Sequence, residues 1–407
     1  MNISWGSKGV KTLKTGKKKV FVGLSGGVDS GVSAYLLKDA GYDVTGVFIK
    51  VWQPENGDCT WKEDRRDAMR VAAHLGIKFM TLDLKNEYKR GVVDYMIDEY
   101  AKGRTPNPDV MCNREVKFGA FMNWALDNGA DYVATGHYAQ TENGEMFEGR
   151  DPEKDQSYFL WTLSEAQLDK ILFPIGHLKK SEVRVLAEKS KLPVANKKDS
   201  QGVCFIGHID MKDFIRENIL ADISTSTFSN EEPVTRLKVL KGLSDGDVLD
   251  IQGNIIGKHN GSLLYTIGER HGLVLNNHSA NSPKYYVIEK DVEKNTITVA
   301  EKEQIKNEGA GTVDRLVFDD VHFISGNYKE MLIEHPIQCL ARSRYRQKKE
   351  ECVLTHVVDK VSGDDKYEVS FKNPQENITP GQSLVLYFTE NKDSSRIGVK
   401  TLGGVII

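Results

Sequence analysis

The sequence predicts an α/β domain built on a parallel sheet, followed by a small central domain and a C-terminal β-barrel. Three observations carry that expectation. Over about the first 200 residues, short apolar runs alternate with stretches of helical periodicity. From about Leu237, short strands separated by Gly, Asn and Asp turns take over. At 407 residues the chain is too long for one ordinary domain.

Lys19–Leu24 reads as a buried strand and Ser30–Ala40 as the helix that follows it. Val44–Ile49 is a second strand, and Glu63–Leu75 a helix with Met69, Val71, Ala72 and Leu75 on its apolar face. Lys78–Leu82 reads as a third strand, Tyr88–Ala101 and Lys117–Asn128 as helices, and Tyr132–Thr135 as a short buried strand. Repeated β-α-β units bury a parallel sheet beneath helices on both faces, and ligands of such sheets sit beyond the carboxyl ends of the strands. Residues 222–235, rich in Ser, Thr, Asn and Glu, read as loop or linker. Turns follow at Ser244-Asp245-Gly246, Gly253-Asn254 and Asn260-Gly261. Strand patterns at Tyr285–Glu289, Thr296–Ala300, Ile337–Arg344, Val353–Val358, Tyr367–Phe371 and Ser383–Phe388 favour a small barrel or sandwich. The expected division is a basic tail over 1–17, the α/β domain over 18–208, the central domain over 209–280 and the barrel over 281–407.

The chain is 39% hydrophobic and 28% charged, which fits a globular protein, and no run of about 18 apolar residues offers a membrane span. Net charge is −3, so nucleic-acid binding would have to come from local patches. The first 28 residues hold Lys8, Lys11, Lys14, Lys17, Lys18 and Lys19 and no acid, which reads as a flexible basic tail; a transit peptide is the alternative, against which the absence of arginine and the short length count. The five cysteines, at 59, 112, 204, 339 and 352, are odd in number, widely spaced and without a preceding signal peptide. A disulfide scaffold is therefore disfavoured, and a reducing cytoplasm with one or two reactive thiols expected. No Cys-x-x-Cys pair supports a structural zinc, and no metal site is expected from spacing.

The string Val22-Gly23-Leu24-Ser25-Gly26-Gly27-Val28-Asp29-Ser30 falls where the first strand meets the first helix. Its glycines let backbone amides approach an anion, and the helix start adds partial positive charge. The Ser25 and Ser30 hydroxyls add donors for phosphate oxygens. The Gly-Lys-Ser/Thr ending of kinase-type phosphate loops is absent. The string resembles the PP-loop of ATP pyrophosphatases, which split ATP into AMP and pyrophosphate. On that resemblance Gly23 through Ser30, with Ile49 and Gly136 at later strand ends, are candidates to bind ATP.

Two further strings surround cysteines. In Gly103-Arg104-Thr105-Pro106-Asn107-Pro108-Asp109-Val110-Met111-Cys112-Asn113, two prolines stiffen a loop that Cys112 closes. A helix beginning near Asn113 would lower the Cys112 thiol's pKa, and Asp109 could reach the same space as proton donor or acceptor. A buried structural cysteine beside a turn-capping aspartate is the alternative. In Lys197-Lys198-Asp199-Ser200-Gln201-Gly202-Val203-Cys204-Phe205-Ile206-Gly207, neighbouring lysines favour a Cys204 thiolate, although alone this too reads as structural.

From about Lys19 to Ile407 the chain resembles the tRNA-specific 2-thiouridylase family. Besides the strings above, the matches include Thr135-Gly136-His137-Tyr138, Lys154-Asp155-Gln156-Ser157-Tyr158-Phe159-Leu160, Tyr265-Thr266-Ile267-Gly268, Thr379-Pro380-Gly381-Gln382 and Leu402-Gly403-Gly404-Val405-Ile406. The resemblance implies an adenine nucleotide alpha hydrolase-like fold and ATP-dependent 2-thiolation of the wobble uridine (position 34) of tRNAs for Glu, Gln and Lys. AMP would be transferred to the uracil 2-oxo group, sulfur would attack carbon 2, and AMP would depart. It further implies that Cys204 carries sulfur as a persulfide, that Cys112 frees it as nucleophile with a Cys112–Cys204 disulfide left behind, and that Asp109 is the general acid/base. Gln156 would seat the flipped base, with Asn107, His137 and Lys154 on the base and RNA side. His137 reads equally as a histidine bonding a loop carbonyl. Mg²⁺ would offset the triphosphate charge, and a cysteine desulfurase or sulfur-relay protein would supply the persulfide.

An iron–sulfur cluster is the alternative sulfur carrier, but it would want three cysteines. Glu115 stands three residues beyond Cys112, and Cys59 is the nearby candidate. The resemblance departs at Glu269-Arg270-His271, where the family often has Gln-Arg-Lys. Rival readings are another ATP pyrophosphatase, such as an amidating ligase or a 4-thiouridine synthetase, and a non-catalytic RNA-binding or sulfur-carrier protein.

For RNA, Arg342, Arg344 and Arg346 alternate in an apparent strand and would face one side, with Tyr345 between them and Lys348 and Lys349 after. Such a stripe suits phosphate contact, or a solvated edge strand guarded by charge. Lys179, Lys180, Arg184, Lys189, Lys191, Lys197 and Lys198 form a second basic run.

Overall fold

The computed structural model describes residues 17–54, 61–199, 210–224, 233–276, 283–359, 362–388 and 399–407. The basic tail, Cys59 and the whole Cys204 string from Ser200 onward lie outside the described residues.

β1 (Lys19–Gly23) carries Val20 and Val22 on one face and Phe21 on the other, all buried. It is the centre of a five-stranded sheet, flanked by β2 (Asp43–Lys50) and β4 (Tyr132–Ala134), with β3 (Lys78–Asp83) and Ile171–Leu172 at the edges. Every pairing is parallel. Val20 and Val22 pack beneath α1 (Val28–Asp39) and α2 (Trp61–Leu75), while Phe21 and Val47 face a second helical layer on the opposite side. The predicted doubly covered α/β sheet is thus present.

That second layer differs from the expected helices in extent and pitch. It spans residues 85–101 and 108–127, and each stretch contains a π-helical segment, Lys89–Asp94 and Cys112–Phe121. The second stretch starts nine residues before the expected Lys117 because Asn107 caps it, accepting from Val110 N at 3.4 Å, with Pro108 at the first helical position.

The central sheet orders its strands as Val274–Leu275, Ile255–His259, Gly246–Leu249, Thr296–Glu301 and Tyr285–Asp291. The last two, expected in the barrel, belong here. Thr296–Glu301 pairs in parallel with Gly246–Leu249, which moves the central domain's end from 280 to about 301. A parallel pairing across some fifty residues leaves no local signal in the sequence. The C-terminal domain is a seven-stranded antiparallel sheet running from Thr312 to Ile406. Leu354, Val369, Leu384, Leu386 and Leu402 fill its core. Cys339 and Cys352 face each other across two of its strands, both buried, with sulfurs 3.4 Å apart. Among the described residues no helix is long and apolar enough to cross a membrane.

Candidate active site

The glycine-serine turn is tied to the sheet at its start, where Leu24 N still bonds Val47 O at 2.8 Å. The two serines then close it: Ser25 N and Oγ both lie 3.2 Å from Ser30 Oγ, and Gly27 N donates to Ser25 Oγ at 3.3 Å. α1 begins at Val28, two residues earlier than expected, with Gly27 as an N-cap whose side adds no capping group. First-turn amides and two hydroxyls therefore converge at the carboxyl end of β1, the donor set an anionic phosphate needs. β4 presses on this turn from the side. A Cβ on Gly136 would lie 2.7 Å from Ser30 N and 2.9 Å from the Asp29 carbonyl carbon, so a larger residue there would push the loop out of place. Ile49 sits half-buried at the carboxyl end of β2.

Asp29 does not stand alone. It accepts from the Tyr138 hydroxyl at 2.8 Å and from Lys180 Nζ at 2.8 and 2.9 Å. Burial and the Asp29 charge push the Tyr138 phenol well above its ordinary range, so it remains a donor. Lys180 also bridges to Asp199 at 2.8 Å, and Asp199 takes Lys154 at 3.0 Å and Arg184 at 2.6 Å. Burial alone would raise the Asp199 carboxyl, but the Lys180 and Lys154 contacts override it and hold the pKa at about 2. Asp199, the last described residue before the Cys204 string, thus shares Lys180 with Asp29 of the turn.

Cys112 is not the helix-start thiol the sequence led us to expect. The helix begins at Pro108, so Cys112 lies within it and is only 1% exposed, while Asp109 occupies the first turn. From Cys112 the helix adopts i→i+5 bonding, which stacks Lys117 one turn above Cys112. Lys117 Nζ lies 3.4 Å from His137 Nε2, and His137 Nδ1 lies 2.7 Å from Thr135 Oγ1. Burial first, and the Lys117 charge second, hold His137 well below its usual pKa. The neutral ring accepts from Lys117, its proton on Nδ1 facing Thr135. Phe118 and Phe173 pack its faces at 5.8 and 6.0 Å. His137 thus ties the Cys112 helix to the same strand end that braces the turn.

Gln156 is held by Tyr138 through two backbone contacts: its Oε1 accepts from Tyr138 N at 3.0 Å, and its N donates to Tyr138 O at 2.9 Å. Asn107 caps the Cys112 helix and also bonds Tyr158. Among the described residues no group of three or more His, Cys, Asp or Glu is placed to hold a metal ion. Cys339 and Cys352 belong to the barrel core, and Cys59 and Cys204 lie outside the described residues.

The arginine stripe needs correcting. The strand stops at Arg342, so the three side chains do not share a face. Arg342 is 6% exposed and bridges the domains, donating to Asp155 at 2.6 Å and to the Tyr387 hydroxyl at 2.8 Å. It has no surface to offer a phosphate. Arg344 is half-buried and donates to Thr379 Oγ1 at 2.8 Å and to Ile267 O. Arg346 is exposed, with its guanidinium 5.1 Å from the Tyr345 ring centre, and Tyr345 packs on Phe159 at 4.6 Å. Lys349 is spent on Glu148 at 2.6 Å, while Lys348 is 86% exposed.

Sequence reasoning missed Lys117, Tyr138, Lys180 and Asp155 as members of this architecture. Lys180 stood within the basic run, but nothing local connects it to Asp29, 151 positions away.

Residues 18–208 match the family described as tRNA methyl transferase HUP domain, residues 237–301 the tRNA methyl transferase PRC-barrel domain, and residues 313–407 the aminomethyltransferase beta-barrel domain. The chain is 42% identical over 377 residues to tRNA-specific 2-thiouridylase MnmA 1 of Geobacillus kaustophilus, covering 91% of this chain and 92% of the relative. Identity to tRNA-specific 2-thiouridylase MnmA of Colwellia psychrerythraea is 40% over 396 residues, 95% of each chain. For the Streptococcus pyogenes protein of the same name it is 43% over 379 residues, 91% of this chain and 92% of the relative. Among solved structures, the U34-tRNA thiolase NcsA from Methanococcus maripaludis with its 4Fe-4S cluster is 18% identical at a TM-score of 0.32, covering 55% of this chain and 70% of its own. That likeness is too low to add to the assignment.

Proposed function

We propose a division of labour for this chain, which belongs to the tRNA-specific 2-thiouridylase family and is a sulfurtransferase that uses ATP to 2-thiolate tRNA. The turn from Gly23 to Ser30 holds the triphosphate, with Asp29 fixed by Lys180 and Tyr138. Mg²⁺ enters as part of the nucleotide substrate and offsets its charge. The wobble uridine is drawn from its stack, with Gln156 against its edge and Asn107, His137 and Lys154 framing the site. The uracil 2-oxo oxygen attacks the α-phosphorus, pyrophosphate departs, and a poor leaving group becomes a good one.

Cys204 carries a persulfide delivered by a cysteine desulfurase or relay protein. The Cys112 thiolate attacks the inner sulfur of that persulfide and releases hydrosulfide, leaving a Cys112–Cys204 disulfide. Hydrosulfide attacks carbon 2, AMP leaves, and two equivalents of a cellular thiol reduce the disulfide, themselves ending as a disulfide. Asp109, in the first turn of the same helix, takes and returns the protons of these steps. Tyr345, Arg346 and Lys348 meet the tRNA, in a cytoplasmic setting.

One observation carries this reading: Lys180 bridges Asp29 of the nucleotide turn to Asp199, the root of the Cys204 string. A cation shared by the turn and the residue that leads into the Cys204 string supports bringing the two chemistries together. The test supplies purified protein with ATP, transcribed tRNA and a persulfide donor, and follows pyrophosphate release alongside nucleoside mass spectrometry. Wild type should give 2-thiouridine at position 34. Cys112→Ala and Cys204→Ala should still release pyrophosphate with tRNA but make no thionucleoside. A Cys204→Ala enzyme that thiolates at wild-type yield would refute its carrier role.

A further inference from the structure

We propose that Gly381 and Gln382 of the C-terminal barrel are positioning residues for the Cys112 loop, setting where Asp109 and Cys112 stand during sulfur transfer. The proposal rests on the reading of those two residues as the reacting pair. Gly103 and Arg104 are tied back to the preceding helix by their amides, at 2.9 Å to Tyr100 O and 2.9 Å to Glu99 O, but Thr105 and Pro106 between the two helices have no regular secondary structure. The contacts on Thr105 and Pro106 come from the other domains. Gln382 Nε2 donates to Thr105 O at 2.9 Å and to Pro106 O at 3.2 Å, so one amide holds two successive carbonyls. Thr105 N donates in turn to Pro380 O at 2.7 Å. Gly381 lies between these contacts with φ of 93°, and a Cβ there would meet Thr105 N, C and O at 2.8 Å.

The clamp is itself rigid. Gly381 N donates to Ile407 O at 2.7 Å, Ile407 N returns a bond to Gln382 O at 2.8 Å, and Gln382 N donates to Thr379 O at 3.1 Å. The central domain adds a third point, with Thr266 Oγ1 at 3.3 Å from Thr105 Oγ1. The held carbonyl of Pro106 is one residue from Asn107, the cap that starts the helix, so the clamp sets that helix's origin. Asp109 follows in its first turn and Cys112 in its second. The barrel's position is thus transmitted to the thiol through a short covalent path, while the nucleotide turn has no contact with the clamp among the bonds described.

The test uses the full chain with Gln382→Glu, isosteric but without amide donors, Gln382→Met, isosteric and apolar, and Gly381→Ala. A misplacement of about 1 Å can cost on the order of a hundredfold in rate, so we expect kcat for 2-thiouridine formation to fall by at least about tenfold. KM for ATP and tRNA-stimulated pyrophosphate release should stay within about twofold, since a displaced loop leaves the turn's own bonds intact. Independently of activity, alkylation of Cys112 by iodoacetamide, followed by peptide mass spectrometry, should quicken as the loop is released. Loss of activity in proportion to unfolded fraction, or wild-type kcat and alkylation in both Gln382 variants, would overturn the proposal. Cys112→Ala serves as the separate control: if it thiolates normally, the reading of Cys112 fails, yet the alkylation result still judges the clamp.

Discussion

The nucleotide turn and the Cys112 loop are held by different means. Ser25, Ser30, Asp29, Tyr138, Gly136 and Lys180 all belong to the α/β domain, so the turn is complete within it. The Cys112 loop takes Thr266 from the central domain and Pro380 and Gln382 from the barrel, while Asn107 leans on Tyr158, which donates to Ser343 O at 2.9 Å and Ser383 O at 3.0 Å. The turn is thus held within one domain and the Cys112 loop by three. Disturbing the joints between domains should separate the two.

The largest expected effect comes from the main joint. Arg342 and Asp155 form a buried ion pair, with side chains 7% and 3% exposed. Removing one partner of such a pair leaves an uncompensated buried charge and costs about 3–5 kcal/mol. We expect Arg342→Met to lower stability in urea by that amount, and thiolation to fail at lower denaturant than pyrophosphate release. Coincident loss of both activities would show the α/β domain depends on the joint as much as the loop does. Next in size is the turn's own lysine. Lys180→Met removes the cation that fixes Asp29, and loss of one preorganised electrostatic contact typically costs about 10²–10³ in rate. Pyrophosphate release should fall accordingly, while tRNA binding persists. Unchanged release would remove Lys180 from the nucleotide site.

The same contrast governs what the sequence disclosed. The turn was legible because its parts are contiguous: strand, glycines, serines and helix start occupy nine residues, and each has a local physical reason. The Cys112 helix was misplaced because Asn107 and Pro108 start it early, a capping signal read instead as loop stiffening. Arg342 was misread because alternation in sequence says nothing about where a strand ends or which face another domain covers. The Lys180–Asp29 bridge and the Gln382 clamp span 151 and 277 positions, and no pattern within one element reports such contacts. The central domain's boundary slipped for the same reason, since its parallel pairing of 296–298 with 247–249 is non-local.

His137 gives a smaller effect on the boundary between the two sites. Its folded pKa is depressed by burial and then by Lys117, whereas an unfolded histidine titrates near 6.5. As pH falls through about 6.5 the unfolded chain takes up a proton that the native ring refuses, so stability declines on acidification. His259 is depressed by burial in the same direction. We expect wild type to lose stability between about pH 7 and 5, and His137→Gln to show a shallower decline that retains the His259 share. An unaltered slope would mean that His137 binds a proton in the native state.

The smallest effect separates two arginines that the sequence made look equivalent. Arg342 is locked into the joint, and its loss should be read in stability. Arg346, four residues on, is exposed, stands at a positive φ of 64° and stacks against Tyr345. A solvent-facing guanidinium held over an aromatic ring can meet a phosphate without first breaking a protein contact, and each such contact releases about one counterion. Arg346→Ala should therefore leave stability within about 0.5 kcal/mol and weaken tRNA binding alike for every tRNA tested. In a salt titration of Kd, the slope of log Kd against log salt should shrink by about one. A variant with wild-type slope would place the RNA path away from this part of the barrel.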